Sequence, residues 1–226
     1  MAAWDALEAI GTVVAAAIAA YAAKQARAAA GESRASASEA NEAATKLLAI
    51  ESQRRHSELC PRFRVTVERW HEGGSSENLR LRVMIIAPPG LSRLDKLTVT
   101  IRDDLYRRGD AHRPVMGGPT TQDIKAHIWG PYRFTPGTGP YGDTPADRAG
   151  RTTVYGAELP IAEELLFQLE HTAPGRWMGS TSQADWLRQC GSTVRLAFTA
   201  EHKEHGTWYL PCEIDTAELP VTAYIP

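Results

Sequence analysis

The 226-residue chain is poor in cysteine and has no large excess of charge of either sign. Its three cysteines, Cys60, Cys190 and Cys212, are odd in number and widely separated, which argues against a disulfide framework or a zinc ribbon. We therefore expect reduced thiols, as in a cytosolic protein. The 25 lysines and arginines and the 27 aspartates and glutamates give a formal net charge of -2. Because nucleic-acid binding needs a basic face that contacts phosphates, no nucleic-acid partner is expected.

Sequence motifs of known enzymes are also lacking. The chain has no H-E-x-x-H or G-x-S-x-G motif and no phosphate-binding loop. Residues 137–142 match G-x-G-x-x-G, but Pro136, Pro140 and Pro145 prevent the helix that must follow such a motif, so a plain loop is predicted. We expect a protein that is not an enzyme and that has no cofactor. A hydrolase-like site assembled from histidines and aspartates of several loops is kept as an alternative.

The N-terminal region lacks a wholly uncharged run of the roughly 20 residues that a membrane span requires. Residues 4–30 contain no proline and consist almost entirely of helix-favouring residues, and residues 10–23 carry no charge. Extending the uncharged segment back to Trp4 reaches the required length but includes Asp5 and Glu8. The sequence therefore predicts a helix and leaves open whether it is a membrane anchor.

The charges on the two sides of this segment differ in sign. Asp5 and Glu8 precede it, whereas Lys24, Arg27 and Arg34 follow it. If the helix spans a membrane, the positive-inside rule places its N-terminus outside and the rest of the chain at the cytoplasmic face. The alternative location is the cytoplasm, with the same helix acting as a coiled coil.

Small residues recur at every seventh position in this region, and we call the two rows together the small-residue seam. The first row is Thr12, Ala19, Ala26, Ser33, Ala40 and Leu47, and the second is Ala16, Ala23, Ala30, Ala37 and Ala44. Small residues let two helices approach closely, both in lipid and in a coiled coil in water. The seam therefore predicts self-association. The alternative is that alanine is so abundant here that any register shows such rows.

The hydrophobic period changes from helical to two after Pro61, which cannot continue the helix. Phe63, Val65 and Val67 alternate with polar residues, as expected for a half-buried strand. Similar strands are predicted near residues 79–85, 97–101, 153–159, 165–171, 193–201, 207–214 and 220–225. We divide the chain into an alanine-rich hydrophobic helix (1–30), a helical stalk (31–60) and a β-sandwich-like domain (61–226).

Two short helices are predicted inside this domain. One follows Thr120 and closes at Gly130, and the other follows Ser182 and closes at Gly191, because each has a capping residue at its start and glycine after its end. The predicted fold class is mainly β: a β-sandwich domain with two short inserted helices, preceded by a long N-terminal α-helix.

Aromatic residues in the loops of this domain are the candidates for ligand binding. Rings supply a large contact area at low entropic cost, which suits a binding surface for a partner protein. The alternative is that they close the ends of the core. The candidates are Trp129, Tyr132, Phe134, Tyr141 and Trp177.

Two groups of side chains are weak candidates for a metal site, although no metal is expected. Asp103, Asp104 and Asp110 lie near the end of a predicted strand and could supply oxygen ligands to calcium. His202 and His205 are close in sequence, but residues three apart on a strand point to opposite faces. A solvated turn and a solvated hairpin are the alternatives for the two groups.

Two segments carry a resemblance to other proteins. Gly130-Pro-Tyr-Arg-Phe134-x-Pro136-Gly137 and Phe167-Gln-Leu-Glu-His-Thr172, with Trp177 and Trp186 behind them, resemble a group of uncharacterised actinobacterial proteins. The resemblance implies an N-terminal hydrophobic helix, a stalk and a compact β-rich domain, and it implies no chemistry.

The sequence as a whole predicts a binding or scaffold module. In the leading hypothesis, the β-sandwich is tethered to a membrane, self-associates through the N-terminal helix and binds an unknown protein partner through its aromatic loops. The alternative is a coiled-coil oligomer in water that carries the same domain.

Overall fold

The computed structural model describes residues 2–70, 78–104, 118–136, 146–156 and 158–225, with side chains described from residue 19 onward. The chain divides into two compact units, Met1–Arg55 and His56–Pro226. The second unit thus begins within the last turn of the N-terminal helix.

One helix, α1 (Ala2–Glu58), accounts for the whole first unit. It continues through Gly31, because one glycine costs a helix only about 1 kcal/mol relative to alanine and its neighbours favour helix. All described side chains of residues 19–55 are exposed, including the large apolar residues Tyr21, Leu47, Leu48 and Ile50. Within the described part of the chain, none of the helices combines the length and the apolar character of a membrane span.

The second unit is an antiparallel β-sandwich, which confirms the predicted fold class. Its strands are β1 (Arg62–Trp70), β2 (Asn78–Ile86), β3 (Arg93–Leu94), β4 (Lys96–Ile101), β5 (Tyr132–Phe134), β6 (Thr152–Tyr155), β7 (Leu159–Pro160), β8 (Glu164–His171), β9 (Thr193–His202), β10 (Gly206–Asp215) and β11 (Val221–Ile225). The sheet order is β11-β1-β2-β8-β5 in one layer and β10-β9-β4-β6 in the other, and β3 pairs with β7 in a two-stranded ladder.

The core lies between the two layers, where the alternating apolar residues meet. Phe63 of β1 and Phe198 of β9 are both fully buried, and their rings stack with centroids 5.1 Å apart. Val65 of β1 lies opposite Val83 of β2, and both are completely buried. Each such side chain stabilises the fold by about 1.5–3 kcal/mol through burial. The period of two in the sequence is therefore what selects the inward face.

Two short helices interrupt the strands, as predicted. In α2 (Thr121–Ala126), Thr120 and Asp123 form a reciprocal capping box, and in α3 (Gln183–Cys190) the Ser182 side chain accepts a hydrogen bond from the Asp185 amide. Helix α3 ends at Gly191 as expected. Helix α2 ends at Ala126, earlier than the predicted Gly130, because His127 takes an extended backbone conformation with ψ 135°.

His56 explains why the second unit begins before Pro61. The Trp208 indole Nε1 donates a hydrogen bond of 2.8 Å to the His56 carbonyl oxygen, and the two rings stack with centroids 4.9 Å apart. The His56 Nδ1 donates to the His205 carbonyl oxygen at 2.7 Å. Leu59 is buried in the core cluster. The last turn of α1 therefore belongs to the core of the sandwich.

Candidate functional site

The first candidate site is a cavity of about 430 Å³ at one end of the sandwich, which we call the aromatic pocket. It is lined by Asp123, residues 126–128, Arg133, Ala149 and residues 172–177. Its walls thus come from α2 and the residues after it, from β5 and from the segment that follows β8. A volume in this range is typical of small-ligand sites in proteins.

A buried ion pair holds the segment after α2 in place. Arg151 binds Asp103 through two bonds of 3.0 Å, and its Nη2 also donates to the His127 carbonyl oxygen at 2.8 Å. The Trp129 amide donates to Asp103 at 3.3 Å. The Asp103 side chain is only 6% exposed, so this pair is shielded from solvent. Bidentate arginine–carboxylate pairs fix orientation as well as distance, and here they fix the backbone on both sides of Ile128.

His127 lies at the centre of a cluster of three tryptophans. Its ring centroid is 5.0 Å from that of Trp129, 5.4 Å from that of Trp177 and 5.3 Å from that of Trp186. The first two contacts are edge-to-face, the arrangement that aromatic rings favour. Burial lowers the pKa of His127, with Asp103 acting in the opposite direction and Arg151 in the same one. The imidazole is therefore neutral at neutral pH.

A hydrogen-bond network behind the cluster fixes Trp186, which is 3% exposed. Its Nε1 donates to the Thr172 Oγ1 at 2.9 Å, and the Thr172 hydroxyl in turn donates to the Gly130 carbonyl oxygen. The Gln183 amide donates to the Thr172 carbonyl oxygen at 2.6 Å. Since Trp186 is fully satisfied, it is a rigid support for the pocket wall.

Two ring nitrogens of the pocket contrast with this satisfied network. Trp177 Nε1 and His127 Nε2 are buried and have no hydrogen-bond partner among the described residues. Tryptophan can only donate through this atom and usually finds an acceptor when the atom is buried. A buried polar atom without a partner costs about 1–3 kcal/mol. Such a cost, located at a cavity, marks the place where a ligand can supply the missing partner.

The charges that line the pocket are two guanidinium groups and one carboxylate. Asp123 is committed to its helix cap, because both the amide and the hydroxyl of Thr120 donate to it, and these bonds lower its pKa. Arg133 is bound to Glu170 through contacts of 2.7 and 2.5 Å. Arg176 is exposed and has no ion pair or hydrogen bond to another described residue. Among the described residues of the pocket lining, it is thus the guanidinium group that lacks a carboxylate partner.

Gly175 is required by the shape of this wall. A Cβ atom at this position would lie 2.7 Å from two carbons of the Trp177 ring, closer than van der Waals contact allows. The segment before Trp177 therefore packs directly on the indole.

A second, larger cavity of about 750 Å³ lies beside the last turn of α1, and we call it the His56 cleft. It is lined by residues 56–58, Cys60, Arg62, residues 86–89 and Trp208. It brings a histidine and a thiol to one surface. Burial raises the pKa of the Cys60 thiol, against a smaller opposite effect of Arg62, so the thiol is not activated as a nucleophile.

The aromatic residues singled out from the sequence lie in different surroundings. Trp129 and Trp177 both contact His127, and Trp177 lines the pocket. Tyr132 stacks on His171 with centroids 4.6 Å apart, and Phe134 is buried in the core. Tyr141 and the G-x-G-x-x-G segment lie outside the described residues.

The candidate metal ligands are engaged with other partners. Asp103 is bound by Arg151 at 3.0 Å. Asp104 is bound by Arg102 and by Arg195, in both cases at 2.8 Å. The rings of His202 and His205 stack at the β9–β10 turn, with centroids 4.4 Å apart. Among the residues that the structure describes, no group of three or more metal-capable side chains converges. Asp110 lies outside those residues.

Sequence reasoning did not identify His127, Arg133, Arg176 or Trp186 as members of one site. In the sequence these residues lie near the aromatic loops and near the capping residues of α2 and α3. Neither feature shows which residues contact each other in the fold.

No protein-family model, no curated protein and no solved structure matches the chain.

Proposed function

We propose that this protein is a non-catalytic binding module, in which the aromatic pocket of the β-sandwich binds a partner and α1 associates copies of the chain. The observation that carries the proposal is the pocket itself. Aromatic walls combined with a few polar groups are the usual composition of a ligand site. The pocket has this composition in Trp177 and His127 together with Arg176.

The titratable groups of the pocket favour a binding function over a catalytic one, because they are hydrogen-bonded or buried. Asp123 caps α2, and the Nε2 atom of His127 is buried among indole rings. A general base must reach the proton that it removes, through a hydrogen bond or one water molecule. Neither group is arranged for that role, whereas both contribute to a fixed wall.

Capture of partners by the full-length chain tests the binding function. Trp177→Ala removes the aromatic wall, and Tyr209→Ala is the matched control because Tyr209 is an aromatic residue of β10 that is 61% exposed and lies outside the pocket lining. We expect the Trp177 variant to lose partners that the wild type and the Tyr209 variant retain. Equal capture by all three proteins contradicts the proposal.

Association through α1 is supported by the distribution of charge along the helix. Between residues 19 and 50, the seam carries no charge, and the row Ala22, Ala29, Ser36, Ala43 and Ile50 beside it is also uncharged. The charged residues of the same stretch lie off these rows: Lys24, Arg27, Glu32, Arg34, Glu39, Glu42 and Lys46. A polar helix with one uncharged stripe is the pattern of a coiled coil in water.

Two of the three large aliphatic residues that are exposed in the described part of α1 fall on this uncharged stripe. Leu47 belongs to the seam and Ile50 to the neighbouring row, and they are 66% and 63% exposed. Leu48 instead falls on the row of Arg27 and Arg34. A second copy of the helix would cover Leu47 and Ile50. In detergent-free buffer we expect a defined oligomer by sedimentation.

Membrane anchoring, the other hypothesis, predicts that the chain stays in the pellet after carbonate extraction of membranes, and release into the supernatant contradicts it.

A further inference from the structure

The aromatic pocket presents hydrogen-bond donors that lack acceptors. The chemistry of these donors indicates the class of ligand that fits the pocket, provided that the pocket is the binding site proposed above. Trp177 Nε1 can only donate, and it has no partner among the described residues. The Arg176 guanidinium carries five N–H donors and likewise has no described partner. The missing component is therefore an acceptor.

The unpaired guanidinium of Arg176 indicates that this acceptor is negatively charged. Arg133 is paired with Glu170, and the Asp123 carboxylate, although charged, already accepts hydrogen bonds from Thr120, so Arg176 is the cation whose N–H groups have no described acceptor. A ligand cation would meet this charge unfavourably. A carboxylate carries one negative charge and matches the planar fork of one guanidinium, whereas a phosphate would bring up to two negative charges to a single unpaired cation.

Part of the pocket wall is apolar. Ala126, Ile128, Ala173 and Pro174 line it beside the Trp177 ring. These residues offer no polar side-chain group to a ligand, so the part of the ligand that faces them is apolar too.

We propose that the aromatic pocket binds a carboxylate attached to an apolar group, with Arg176 and the Trp177 indole N–H as its donors. Trp177 Nε1 is covered in the free protein, so the carboxylate reaches it through a rotation of the Trp177 side chain. Side-chain changes of this kind are common on binding. The carboxylate can belong to a free organic acid or to the C-terminus of a peptide, since both present the same group.

The experiment follows the indole N–H signals of the full-length protein by NMR. The chain has six tryptophans, and the signal that disappears in Trp177→Phe is that of Trp177. The probes are 3-phenylpropionate for a free acid and the peptide acetyl-Gly-Ser-Gly-Phe for a C-terminus. Each is compared with its own carboxamide, which has the same shape without the charge.

The expected result is a downfield shift of the Trp177 signal with at least one carboxylate and not with its amide. The probe that binds more tightly identifies the source of the carboxylate. Arg176→Gln should weaken this binding about tenfold or more, the usual effect of losing a charge-assisted hydrogen bond. Arg188→Gln is the control, because Arg188 is 77% exposed and lies on α3 outside the pocket lining. Since Arg176 is also exposed, its replacement leaves the fold intact.

Two results overturn the inference. If the amides shift the Trp177 signal as strongly as the acids, the pocket binds ligands but does not recognise the charge. If neither acid shifts the signal up to its solubility limit, the pocket does not bind apolar carboxylates. The capture experiment with Trp177→Ala reports on the proposed function separately in both cases.

Discussion

The helix and the sandwich differ in where their apolar side chains lie. In the first unit, every described side chain of residues 19–55 is exposed, including Leu47, Leu48 and Ile50. In the second unit, alternate residues of the long strands are buried, and Phe63 and Phe198 are completely so. Most of the stability of protein helices comes from packing of an apolar face and not from propensity. The sandwich therefore contains its own core, whereas the described side chains of residues 19–55 have none, and our proposal is that a second copy of the chain packs on the helix.

A core substitution gives the largest expected difference between the two units. Phe198→Ala should lower the free energy of unfolding of the sandwich by about 4 kcal/mol, because it removes a buried ring and leaves a cavity. Leu47→Ala, in the exposed helix, should change it by less than about 0.5 kcal/mol. Urea unfolding followed by tryptophan fluorescence measures both. Similar effects of the two changes contradict the division of the chain into two units.

Truncation tests where one unit ends and the other begins. A chain of residues 56–226 keeps the bonds of His56 with Trp208 and His205 and the burial of Leu59. A chain of residues 61–226 loses them, and its unfolding free energy should be lower by roughly 3 kcal/mol. Urea titrations of the two truncated chains measure the difference. Equal stability of the two chains would show that residues 56–60 are not part of the sandwich.

The pH dependence of stability tests whether His127 is buried in its neutral form at the aromatic pocket. Because burial lowers the pKa of His127, the unfolded chain binds a proton at higher pH than the folded one. The contribution of neutral His127 is complete above about pH 6.5 and is lost as the pH falls through the lowered folded-state pKa. The free energy of unfolding should therefore decrease on acidification by up to about 1.4 kcal/mol per pH unit in that window.

His127→Gln is the matched variant for this effect, since it keeps a polar side chain that does not titrate. Asp103 and Arg151, the charged groups that act on His127, remain in place. The decrease in urea midpoint between about pH 7.5 and pH 5 should be smaller in the variant than in the wild type. An equal decrease assigns the pH dependence to other groups.

Much of the fold could be predicted from local patterns. Alternation of apolar residues identified the long strands, such as β1 and β9, because a sheet with one buried face imposes a period of two. Capping residues located α2 and α3 for an equally local reason, since Thr120 and Ser182 satisfy the first amides of each helix. The end of α2 was less predictable, because the bonds of Arg151 to Asp103 and to the His127 carbonyl, which fix that segment, come from a distant part of the chain.

The candidate site could be predicted only in part. Trp177 was recognised as a loop aromatic, but its contact with His127 joins segments 50 residues apart in the numbering, and no local pattern reports it. Within β5, Arg133 lines the pocket while its neighbour Phe134 enters the core, because successive side chains of a strand point to opposite faces. Grouping the aromatic residues by their position in the sequence therefore placed Phe134, which lies in the core, together with Trp177, which lines the pocket.

The most direct test of the contrast between helix and sandwich is sedimentation velocity of the full-length chain with single seam substitutions. Ala37→Glu places a charge in the seam, and Ala35→Glu places the same charge off it, at an equally exposed position of the same helix. We expect an oligomer for the wild type and for Ala35→Glu, and the monomer for Ala37→Glu with an unchanged urea midpoint of the sandwich. A wild-type chain that sediments as a monomer, or two variants that behave alike, would contradict association through the seam.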